Sequence, residues 1–164
     1  MKAEVKSYTL GFKQPAGTSR GVLRDKQCYF LKITDASARY PVGWGEVGVL
    51  RGLSMDDVPE LEHQLDWTAK HIQLGLEKLY RANTEFPSIQ FALEQAFSHL
   101  ENGFQHFDTP YSRGEAAMSI NGLIWMGDEA FMLDQISKRL AEGFTTLKMK
   151  VGAIDWTTER KLLK

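Results

Sequence analysis

At Pro59 the apolar residues of this 164-residue chain change their spacing. Before that point they sit in short runs rich in aromatic and β-branched residues; after it they recur every three or four positions. Residues 3–12, 28–35 and 43–50 read as strands, and the short connections between them suit an antiparallel three-stranded meander. The stretch between the first two, Gln14-Pro-Ala-Gly-Thr-Ser-Arg-Gly21, is punctuated by proline and glycine and is expected to be a mobile surface loop. From Pro59 onward, Leu61, Leu65, Ala69, Ile72, Leu76 and Leu79 fall on one stripe, which predicts a single long amphipathic helix. A second helix opens near Pro87, carries Ile89, Leu93, Ala96, Phe97 and Leu100 on one side, and stops at Gly103. Strands followed by helices in this order make an α+β domain.

The rest of the chain alternates. Gln105–Glu115 is polar, with Pro110 and Gly114, and reads as a linker. Ala116–Trp125 is apolar and strand-like, although Asn121-Gly122 inside it is a hairpin cue that points the other way. Asp128 can cap a helix bearing Met132, Ile136 and Leu140, which Gly143 closes. A second strand-like run, Phe144-Thr-Thr-Leu-Lys-Met-Lys-Val-Gly152, precedes a helix over Asp155–Leu163. Strand, helix, strand, helix with short connections gives two βα units of a parallel sheet. The expected organisation is therefore an α+β domain over 1–112 and a βα segment over 113–164.

Several functions are disfavoured by what surrounds this pattern. A formal net charge of -1 and a pI near 6.4 offer no electrostatic case for nucleic acid or an anionic membrane. No run approaches the ~18 apolar residues of a membrane span, and MKAEVKSYTLGF lacks the apolar core of a signal peptide. The single cysteine, Cys28, cannot form an internal disulfide, in keeping with a cytoplasmic protein. Gly43-Trp-Gly-Glu-Val-Gly48 matches the spelling of a dinucleotide fingerprint, but no helix opens at those glycines, so they read as strand and turn positions. His63, His71, His99 and His106 show no metal spacing, and Met55-Asp-Asp-Val58 is read as a loop before a helix.

Lys148 and Lys150 remain. Alternation along a strand puts them on one face with Thr146, and Leu147, Met149 and Val151 on the other. A solvated face is the ordinary use of such a pair. Strands between helices in a parallel sheet, however, are normally apolar on both faces, and two lysines there require a polar cavity. In a closed (β/α) barrel that cavity is the active site at the strands' C-terminal ends. A lysine desolvated beside a second cation can fall toward a pKa of about 7–8 and act as a general base.

Four segments carry a family resemblance: Gly17-Thr-Ser-Arg-Gly-Val-Leu23, Gly43-Trp-Gly-Glu46, Ile120-Asn-Gly-Leu-Ile-Trp-Met-Gly127 and Leu147-Lys-Met-Lys-Val-Gly-Ala-Ile-Asp155. In this order they resemble the muconate-lactonizing branch of the enolase superfamily, and within it the o-succinylbenzoate synthase family. The resemblance implies an α+β cap followed by the first two βα units of a (β/α) barrel. It also implies a dehydratase of menaquinone biosynthesis. There a base removes the proton α to the carboxylate of a small cyclohexadiene carboxylate, and a Mg²⁺-stabilised enediolate loses hydroxide. A lysine or histidine base with a divalent metal is the known strategy of this superfamily. By the match Lys150 is the acid/base and Lys148 its cationic neighbour. Arg20, in the glycine-rich loop, is a candidate partner for a substrate carboxylate.

The same resemblance places the metal-binding carboxylates and an opposing lysine on later barrel strands. The Mg²⁺ ligands are thus expected to be absent from this chain, which is expected to be inactive alone. Exposed barrel edges make self-association an expectation. An N-acylamino acid racemase or dipeptide epimerase of the same superfamily, or a non-catalytic α+β module, are the alternatives.

Overall fold

The computed structural model describes residues 1–18, 21–152 and 154–163, with the backbone alone for 16–18. Two compact units are present. The first comprises Met1–Gly11 with Asp25–Arg113, and the second Phe12–Arg24 with Gly114–Lys164.

β1 (Lys2–Thr18), β2 (Gly21–Thr34) and β3 (Val42–Val47), the first two only partly in the first unit, form a sheet in the order β1-β2-β3. β2 and β3 are antiparallel, with Tyr29 opposite Val47, Leu31 opposite Gly45 and Ile33 opposite Gly43. Tyr29, Leu31 and Ile33 are buried, as period-two alternation requires. Against this face lies α3 (Pro87–Asn102), which presents Ile89, Ala92, Leu93, Ala96 and Leu100. Proline opens that helix and Gly103, at φ 65°, ends it, as expected from the sequence.

The two glycines of Gly43-Trp-Gly45 have a packing role. A Cβ on Gly45 would stand 1.9 Å from the carbonyl oxygen of Ala92, and one on Gly43 would stand 2.2 Å from that of Ala96. Glycine on the sheet and alanine on the helix let the two backbones touch. No helix starts at these glycines, so the fingerprint spelling has no dinucleotide geometry behind it.

Two expectations need correction here. The stretch expected to be a loop over Gln14–Gly21 is largely strand, because β1 runs to Thr18 and β2 begins at Gly21. Pro15 is tolerated because β1 is an edge strand, the position in a sheet to which proline is largely confined. The single helix after Pro59 is two: α1 (Leu61–Lys70) and α2 (Leu76–Ala82), joined by a 3₁₀ turn at Ile72–Leu74. Gly75, at φ 80° and ψ 166°, makes the break. Asn83, just past α2, then accepts from Gln64 and Thr68 of α1 and donates to Leu79 O, all within 3.1 Å. The apolar stripe survives the break: Leu61, Leu65, Ile72 and Leu79 are all buried.

In the second unit, β4 (Gly122–Ile124) and β5 (Leu147–Met149) pair in parallel. The helices α4 (Glu129–Ala141) and α5 (Trp156–Leu162) follow them. Asp128 and Asp155 cap these helices, accepting from the backbone N–H of Phe131 and Thr158. Ile124, Met132 and Leu162 form the buried centre, joined by Ile136, Leu147 and Met149. The strand expected over Ala116–Trp125 is confined to three residues, and Asn121-Gly122 makes no hairpin. Instead Gly122 begins β4, where a Cβ would meet Leu147, Arg139 and Phe144 at 3.0–3.1 Å.

Candidate active site

Parallel pairing fixes which side chains share a face of the second unit. Gly122 lies opposite Leu147, Leu123 opposite Lys148 and Ile124 opposite Met149. Ile124, Leu147 and Met149 pack toward the helices, so Leu123 and Lys148 stand on the other side of the sheet. Lys148 and Lys150 are both exposed, with half-buried Met149 between them. Among the described residues neither amine has an ion-pair partner. Lys150 follows directly on the last strand residue.

The backbone around these lysines is held from the helices. Gln135 of α4 takes both backbone groups of Trp125, the residue after β4. Its Oε1 accepts the N–H at 2.9 Å and its Nε2 donates to the C=O at 3.0 Å. Glu159 of α5, only 3% exposed, accepts the N–H of Gly152 at 2.5 Å. Sequence inspection missed both residues. For Glu159 a signal existed: it is a carboxylate at helical spacing from Leu162, on the buried side of α5.

Arg20 lies outside the described residues. Within the second unit, residues 12–15 help to line a cavity of about 440 Å³. Phe12, Lys13 and Pro15 form one wall, and Trp125, Phe131 and Lys138 the other. Residues of β1 therefore meet the loop that leaves β4.

The remaining polar clusters are in the first unit. His99 and His106 line a cavity of about 200 Å³ with Trp44, Gln95 and Phe104. His99 Nδ1 accepts the N–H of Trp44 at 3.2 Å, so its proton sits on Nε2. Burial, and then the nearness of His106, hold the His99 pKa below its ordinary value. Lys26 pairs with Glu46 at 3.1 Å beside the buried thiol of Cys28, whose pKa is raised, mainly by burial. The Met55–Val58 loop caps a helix other than the one that follows it in sequence: Asp56 accepts from the N–H and hydroxyl of Ser88 in α3. Among the described residues no three His, Cys, Asp or Glu side chains gather as a metal site. No described helix is long and apolar enough to cross a membrane.

No protein-family model matches the chain. The o-succinylbenzoate synthase of Desulfotalea psychrophila is 35% identical over 196 residues, covering 99% of this chain and 52% of the relative. The crystal structure of MenC from Desulfotalea psychrophila LSv54 superposes with a TM-score of 0.72 at 29% identity, over 99% of this chain and 51% of that one. The o-succinylbenzoate synthase from Thermosynechococcus elongatus BP-1, crystallised with Mg in its active site, gives 0.70 at 21% identity, over 99% and 47%. A dipeptide epimerase from Methylococcus capsulatus, complexed with Mg and L-Arg-D-Lys, gives 0.70 at 19%, over 99% and 48%. The last two likenesses concern the fold alone. The chain spans about half the length of the relatives it matches. By sequence and by fold, the chain is similar to the N-terminal portion of o-succinylbenzoate synthases.

Proposed function

We propose that the chain supplies the cap and the lysine-bearing first βα units of an o-succinylbenzoate synthase-like dehydratase. In it Lys150, as the free amine, takes the proton α to a substrate carboxylate. The C–H electron pair passes into an enediolate, and the adjacent C–O bond then breaks. The departing hydroxide leaves as water with the proton that Lys150 returns, and the ring becomes aromatic. Lys148 supplies positive charge to the carboxylate as negative charge builds on it. The observation that carries this reading is the placement of Lys148 on the face of β5 turned away from the helices. In a closed barrel that face is the inner one.

The substrate class is a small cyclohexadiene carboxylate, and Arg20 is assigned to a second carboxylate on it. Residues 1–112 act as the cap and 113–164 as the start of the barrel. The described residues do not fit a divalent ion, so no step is drawn through one. On this reading the 164 residues do not turn over substrate by themselves. The open edges of the two-stranded sheet favour association until further strands cover them. The cytoplasmic location read from the sequence belongs to the same proposal.

The test uses two proteins: the 164-residue chain, and the chain extended by the C-terminal half of the Desulfotalea psychrophila relative. The first is expected to show no dehydration. The second is expected to be active, and K150A to slow it by about 10²–10⁴-fold. Full-rate turnover by the short chain, or an unimpaired K150A, would overturn the proposal. Dipeptides belong in the same panel, because an epimerase shares this fold. Epimerisation without dehydration would move the substrate assignment and leave the lysine chemistry in place.

A further inference from the structure

The two βα units end alike: a helix side chain reaches back to the backbone just beyond its own strand. For β4 the tether is Gln135 on Trp125, and for β5 it is Glu159 on Gly152. The second is the more costly to build. A carboxylate only 3% exposed is stable there only if it is well hydrogen-bonded. A bond from a backbone N–H to an ionised acceptor is stronger than one to a neutral group. Gly152 itself sits at φ 96°, where residues with a Cβ are strained, so the carboxylate grips a turn that glycine alone makes comfortably. Lys150 lies two residues before that turn, at the end of a three-residue strand whose described pairing is on one side only.

We infer that Glu159 is a positioning residue for the lysine strand. Its carboxylate fixes the Gly152 turn and thereby the place where the amines of Lys148 and Lys150 stand, and Gln135 does the same for the end of β4. The inference rests on the functional reading of Lys150. Its physical reason is geometric. Exposed lysines have many rotamers, and a misplacement of about 1 Å at a reacting centre can cost about 10²-fold in rate. A turn held to the following helix removes the backbone share of that freedom. A merely structural Glu159 would close the buried side of α5 and leave the lysines indifferent to its loss.

Amide exchange in the 164-residue chain reads the tether directly. E159A is expected to speed exchange of the Gly152 amide by about tenfold or more, while Trp125 and the Leu31 amide of the first unit keep their rates. Q135A is expected to act on Trp125 and spare Gly152. E159Q, which keeps an acceptor oxygen in place, is expected to restore most of the protection. Should E159A not fold, E159D withdraws the acceptor by one methylene and gives the same readout. In the extended, active chain E159A is expected to lower kcat by about 10²-fold with KM within about twofold, and E159Q to recover much of the loss. An unchanged Gly152 rate in E159A would overturn the tether. A faster Gly152 with full kcat would overturn the positioning role. A fully active K150A would remove the functional reading and the role with it, and the Gly152 rate distinguishes that failure from failure of the tether.

Discussion

Leu123 of β4 lies beside Lys148 of β5 across the parallel pair, on the side of the sheet turned away from Met132 and Leu162. Ile124 on the helix side is buried and Lys148 on the other side is exposed, so the two faces contribute differently to stability. K148A and K150A are expected to change the stability of the second unit by less than about 0.5 kcal/mol. Ile124→Ala, on the buried face, is expected to cost about 2–5 kcal/mol. Urea unfolding read at amides of the second unit measures both. A large loss in K148A would mean that the lysine face is held by contacts of its own.

The contact of β3 with α3 leaves no room for a methyl group. Ala in place of Gly45 would put Cβ inside the Ala92 carbonyl, and both partners are backbone. G45A is expected to destabilise the first unit by at least about 3 kcal/mol. G52A, in open space but at φ 70°, should cost only about 1 kcal/mol. Denaturant midpoints of the two variants make the comparison.

His99 should make the first unit acid-sensitive. Its folded pKa is depressed, chiefly by burial, so below its ordinary value of about 6.5 the unfolded chain binds more protons than the folded one. The stability it contributes is complete above that pH. It is lost as pH falls from there through the folded value. H99Q keeps an acceptor for the Trp44 amide but cannot titrate, and is expected to flatten the fall in urea midpoint between pH 7.5 and 5.5. Identical pH profiles for the two proteins would refute this.

Asp56 caps α3 from outside that helix, accepting from Ser88 N at 2.8 Å and Ser88 Oγ at 2.5 Å while only 3% exposed. D56A is expected to cost about 1–2 kcal/mol. D57A is expected to act locally instead, removing the carboxylate that accepts from Arg51 Nη1 and from the Gly52 N–H. Exchange rates at the start of α3 distinguish the two.

Much of this was legible along the chain, because period and punctuation are local. The stripes that became α1, α2 and α3, the stops at Gly103 and Gly143, and the cap at Asp128 could each be placed from residues within a turn of one another. The alternation of Leu147, Lys148, Met149 and Lys150 likewise fixed two faces before any fold was known. Tertiary structure decided what depends on partners distant in sequence. Pairing with β2 carried β1 through Pro15 to Thr18, against the local loop signal. The Asn83 network with Gln64 and Thr68 joined α2 to α1 beyond the break at Gly75. Parallel pairing with β5 made Gly122 a strand start rather than a turn. The tethers from Gln135 and Glu159 are of the same kind. A buried hydrogen bond has no period, and only the packing of a helix onto its strand brings its two ends together.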